Sequence, residues 1–69
     1  MKMYAVAVCN MLNDENEVRI VNAYNEIDAM IIAVEGEDLG IIKMCTVEEL
    51  QQYYIDLDLS VSRPVEIKK

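Results

Sequence analysis

The side chains that carry most protein chemistry are scarce in this chain. There is no histidine, so no serine or cysteine can be paired with an imidazole base. The serines are only Ser60 and Ser62, on the polar positions of an alternating segment. Two glycines, Gly36 and Gly40, are too few for a phosphate-cradling loop. Paired carboxylates could do glycosidase-type work, but a chain of 69 residues leaves little room for a substrate cleft. The chain therefore reads as a non-enzyme without a cofactor. Asp14-Glu15-Asn16-Glu17 and Asp56-Leu57-Asp58 offer oxygen ligands. Neither has the spacing or the glycine of a calcium loop, so no metal is expected. Cys9 and Cys45 are expected to be buried free thiols, since their spacing makes neither a disulfide framework nor a CxxC site.

What remains is charge. Thirteen acids stand against six bases, for a net charge of −7. Between Ile20 and Ser62 the imbalance is sharper, with Lys43 the single base among nine acids. Glu26, Asp28, Glu48 and Glu49 fall in the first turns of expected helices, where the dipole favours an anion by roughly 0.3–1 kcal/mol each. Glu35, Glu37 and Asp38 crowd the carboxyl end of the first helix, where the dipole opposes them by a similar amount. Lysine would be the stabilising choice there, so charge itself is wanted. Asp56 and Asp58 extend the set beyond the second helix. The candidate partner-binding residues are thus Glu35, Glu37, Asp38, Glu48, Glu49, Asp56 and Asp58. The competing explanation is that salt screens the cost and the acids only confer solubility.

The elements that must position these acids begin with Lys2 to Leu12, KMYAVAVCNML. Both of its period-2 faces are apolar, with Asn10 the exception, so it is expected as a central strand covered on both sides. Asn13 to Asn16 reads as a hairpin loop and Glu17 to Tyr24 as a second, antiparallel strand. Asn25 caps a helix whose apolar stripe is Ile27, Met30, Ile31 and Val34, and Gly36 ends it. Asp38 to Met44 reads as a third strand. Thr46 and Glu49 form a capping box for a second helix that runs to about Ile55, with Val47, Leu50 and Tyr54 inward. Beyond it, Leu57, Leu59, Val61, Val65 and Ile67, interrupted only by Arg63, alternate with polar residues in one half-buried strand, ordered over Leu59 to Ile67. Pro64 places that strand at an edge. The expected fold class is α+β, a two-layer domain over residues 1–69 with β-β-α-β-α-β order. Its sheet is small, mixed or antiparallel, with the helices on one face.

A chain this short buries only about 60% of its unfolded surface, yet 54% of its residues are hydrophobic. A second copy is the natural cover, and a homodimer through the uncovered sheet face is expected. The negative charge argues against direct nucleic-acid binding and against anionic membranes, and in favour of a basic partner. No apolar run reaches membrane-spanning length and no leader is evident, so a cytoplasmic protein is expected.

The strand-hairpin-helix run MYAVAVCNML, EVRIVNAY and NEIDAMIIAVEG, with the small size and acidity of the whole chain, resembles the small acidic early proteins of lytic phages. Within that group the chain is similar to the acidic DNA mimics that inhibit the bacterial nucleoid protein HU. The resemblance implies a dimeric host-takeover inhibitor that works in the host bacterial cytoplasm and blocks the DNA-binding face of HU. It rests on size, charge and element order, so it transfers no site residues. Two other readings suit the same charge: an inhibitor of bacterial RNA polymerase or of a CRISPR nuclease, and a homodimeric adaptor without DNA mimicry.

Overall fold

The computed structural model describes residues 1–37 and 45–68. The elements are β1 (Lys2–Asn10), β2 (Glu15–Ala23), α1 (Glu26–Glu35), α2 (Val47–Ile55), β3 (Leu59–Val61) and β4 (Val65–Glu66). The class is α+β, as expected, and the order among the described residues is β-β-α-α-β-β. The third strand expected over residues 38–44 lies outside the described residues, as does Asp38. The last strand resolves into two.

β1 is the central strand. It pairs antiparallel with β2 from Lys2↔Ala23 to Asn10↔Glu15, and on its other side with β3 and β4. The hairpin loop is therefore residues 11–14, two residues earlier than expected, and Asp14 takes its left-handed position at φ 54°. An aspartate tolerates that conformation better than most residues.

Both helices cover one face of the sheet. Tyr4 and Val6 of β1, Ala23 of β2 and Val61 of β3 pack against Ala29, Met30, Ile31 and Ala33 of α1 and Val47, Leu50 and Tyr54 of α2. The helix ends follow the sequence signals. The Asn25 side chain accepts from the Asp28 N–H at 2.9 Å. Gly36 sits at φ 85° and its N–H closes on the Ile32 carbonyl. Thr46 and Glu49 form the reciprocal capping box, at 3.1 and 2.9 Å. We expect Thr46→Ala to cost about 1 kcal/mol, read as a lower urea midpoint with an unchanged slope.

The C-terminal strand departs from the expected pattern. β3 pairs with β1 as Val8↔Val61, but β4 pairs as Ala5↔Val65 and Tyr4↔Glu66. Three residues, Ser62 to Pro64, therefore stand opposite two, Val6 and Ala7. This is a bulge, and it shifts the register by one. Such a shift turns every later side chain to the other face. Leu59 and Val61 point to the helices as expected. Val65 and Ile67 point away from them, and Pro64, expected on the wet face, is buried. Ser62 holds the bulge: its N–H donates to the Ala7 carbonyl and its Oγ accepts from the Ala7 N–H, both at 2.9 Å.

The outer face of the sheet is apolar, yet no described residue covers it. Register assigns it Met3, Ala5, Ala7 and Cys9 from β1, and Asn16, Val18, Ile20 and Asn22 from β2. β1 is thus covered on one face, where its sequence led us to expect cover on both.

Candidate functional site

The first question is where the helices aim their ends. Arg63 donates to Glu26 at 3.3 Å and closely to Glu48, so the amino ends of α1 and α2 share one guanidinium. α1 starts just after Ala23, which pairs with Lys2, and α2 ends just before Leu59, which pairs with Asn10 at the hairpin end of the sheet. The two helices therefore run side by side in the same direction. Their carboxyl ends reach the hairpin end of the sheet. Val34 of α1 lines a shallow cavity of about 150 Å³ there with Asn10, Glu15, Glu17 and Leu59. Just beyond α2, the Asp58 carbonyl accepts the Met11 N–H of the hairpin loop at 2.9 Å.

This arrangement sorts the candidate acids. Glu35, Glu37, Asp56 and Asp58 come to the hairpin end. Asp14, Glu15 and Glu17 join them there from the β1–β2 hairpin, although the sequence reading had left them out. Arg19 is the one base nearby among the described residues; it pairs with Glu17 at 2.9 Å and donates to the Ala33 carbonyl of α1. Two parallel helix termini add roughly half a negative charge each. Met11 and Leu12 of the hairpin loop, and Leu57, are exposed among these acids.

Glu48 and Glu49 do not belong to this pole. They lie at the opposite end of α2. Glu49 closes the capping box, and Glu48 pairs with Arg63. The backbone N–H in the first helical turn, with a smaller contribution from Arg63, holds the Glu48 carboxyl below its usual range. Both acids have local structural duties and lie apart from the other candidate acids, at the opposite end of α2. Lys2, Arg63 and Lys68 also lie toward this opposite end, where Lys2 pairs with Glu66 at 3.8 Å. The molecule is electrically lopsided.

The remaining acids of the set have lesser local roles. Asp56 caps α2 and accepts from Gln52 Nε2 at 3.2 Å. Asp58 occupies a left-handed position at φ 64°. Glu35 and Glu37 are exposed, one on each side of Gly36.

Burial and, secondarily, the Glu35 carboxylate push the Tyr54 phenol up to about 12. The folded state then keeps the Tyr54 proton in a range where the unfolded chain, at 10.0, has released it. Stability from this group is full below pH 10 and declines as pH rises toward 12. We expect melting temperature to fall across that window, and Tyr54→Phe to flatten the fall.

Among the described residues no three acids or thiols converge as a metal site, and no helix is long and apolar enough to cross a membrane. Cys9 and Cys45 are half-buried rather than buried as expected. No family model matches the chain, and no curated protein or solved structure is similar to it.

Proposed function

We propose that this chain is a non-enzymatic acidic binding protein. It presents carboxylates to the nucleic-acid-binding surface of a basic protein and occupies the place of phosphates. The observation that carries this reading is the pole: acids from three separate segments and both helix carboxyl ends gather at one end of the molecule. Carboxylates on a rigid scaffold can take arginine bidentately, and Met11 and Leu12 would add apolar contact at the centre. Glu35 and Glu37 support the reading further, because they stand where the helix dipole opposes them.

The narrower proposal is a phage host-takeover protein whose target is the DNA-binding face of HU. RNA polymerase and a CRISPR nuclease are the alternative targets. The test is displacement of a labelled DNA duplex from each purified protein by the full chain at low salt. Displacement from HU alone, lost as salt rises, is the expected result. Displacement from polymerase or nuclease alone would move the target. No displacement from any of them would leave the acids as a solubilising surface and return the adaptor reading.

A further inference from the structure

The outer face of the sheet inverts the usual pattern of a half-solvated sheet. Glu15, Glu17 and Arg19, the charges of β2, share the face that the helices cover, because their partners across the ladder are Asn10, Val8 and Val6. The outer face of β1 and β2 carries no charged residue at all. Yet Val18 is 67% exposed and Ile20 57%. On the far side of β1 the bulge turns Val65, 66% exposed, and Ile67 onto the same face.

Its relief is also defined. Past Met3, the central strand presents small side chains, Ala5, Ala7 and Cys9, between the ridge of Val18 and Ile20 and the ridge that Val65 begins. A depression of about 260 Å³ opens over Ala7, flanked by Val18, Cys9, Asn16 and Ser60.

We propose that this face is where two copies of the chain meet, sheet on sheet. The ridge of Val18 and Ile20 from each copy lies along the Ala5–Ala7 groove of the other. Charge selects the occupant. Each copy carries −7, and across a two-fold axis every charge near the axis meets its own kind. A face cleared of charge within a chain that is 28% charged suits self-association. A basic partner would find on it only the neutral Asn16, Asn22 and Ser60, with Glu17 at the margin of the depression. Size agrees with a modest dimer. Nine-residue strands at about 3.3 Å per residue and three columns about 4.8 Å apart give a footprint near 400 Å² before side-chain relief. Two such faces bury about 800 Å² before side-chain relief, the size of a weak, reversible contact rather than an obligate one.

This inference does not rest on the acidic-pole reading, and salt separates them. Repulsion between two copies is screened as salt rises, so the dimer tightens, whereas a contact between the pole and a basic protein weakens. Sedimentation equilibrium of the full chain across a concentration series at low and high salt is the test. The expected result is a reversible dimer, tighter at high salt. In the double variant Val18→Lys, Ile20→Lys its dissociation constant should rise by about a hundredfold or more, since lysines would be buried unpaired. Both positions are exposed in the single chain, and circular dichroism verifies the variant fold. Ala7→Leu is the second variant. It makes the face greasier but fills the groove, so it should also weaken the dimer.

Three results would overturn the proposal: a dimer indifferent to the lysines, a dimer that loosens with salt, or one that Ala7→Leu tightens. A monomer under all conditions would overturn it as well. The face would then belong to another part of the chain if Cys9 resists a thiol reagent, or to an apolar partner of another kind if it reacts.

Discussion

Exchange of Glu35, Glu37, Asp56 and Asp58 for Gln, Gln, Asn and Asn should abolish low-salt displacement of DNA from the basic target while leaving the fold intact. Coupling between close charge pairs at a protein interface is worth about 1.5 kcal/mol or more, so four lost charges imply weakening by a thousandfold or beyond. The variant is chosen to spare the structure. Glu35 and Glu37 stand where the helix dipole opposes an anion, so removing their charge should firm the fold by a few tenths of a kcal/mol each. Asparagine is at home in the left-handed conformation that Asp58 adopts. Gln52 keeps an oxygen to donate to at position 56. The expected signature is opposite movement: melting temperature unchanged or slightly raised, and binding lost. The matched control is Glu48→Gln at the other end of α2, which should leave binding unchanged. If the four-fold variant binds as before, the pole is not the contact surface.

Leu50→Ala should cost about 2–5 kcal/mol, the usual range for a buried leucine cut back in a core. Leu50 is 1% exposed and sits in the single cluster formed by both helices and the sheet. A chain of 69 residues is stable by roughly 3–10 kcal/mol in total. The substitution therefore removes about half of the stability, and the urea midpoint should fall accordingly. Ile20→Ala gives a useful contrast. On an open face it should be nearly silent. Under a second copy its cost should grow with protein concentration.

Much of this fold was legible because its signals are local. Asn25, Gly36, Thr46 and Glu49 each act through backbone groups within four residues, and all four do what their types imply. The stripe of α2 was legible from its period; on α1 Met30 and Ile31 are buried as expected, but Ile27 and Val34 are only half-buried and Ala29 and Ala33 fill the core beside them. The bulge was not. Leu57 to Ile67 alternates except at Arg63, a charge on the apolar positions, and that one interruption does not by itself tell a bulge from a strand with one exposed residue. Pro64 marked an edge but not a change of face. As a result Val65 and Ile67 were assigned to the core, and half of one outer ridge was missed.

The site was legible in composition but not in placement. Glu35 and Glu37 were found because they oppose a helix dipole, which is a one-dimensional signal. Glu48 and Glu49 were grouped with them by nearness along the chain. The parallel course of the two helices puts the start of α2 at the other end of the molecule, so that nearness misled. Eleven residues separate Glu35 from Val47, a connection long enough to return along a helix of this size. That length was the available clue. Asp14, Glu15 and Glu17 read in sequence only as oxygen ligands without calcium-loop spacing, and it is the β1–β3 ladder and the Met11 bond to Asp58 that bring them beside the others.

The shared direction of the two helices has a kinetic consequence. A molecule strongly negative at one end and much less so at the other turns in the field of a cation before touching it. Any basic partner therefore meets the hairpin end first. Productive orientation is selected during approach, so encounters succeed more often than random collisions would. For a contact made this way the association rate should carry most of the salt dependence, while residence time is set by the Met11, Leu12 and carboxylate contacts made after arrival. Stopped-flow mixing across an ionic-strength series would separate the two, with the slope in the forward rate.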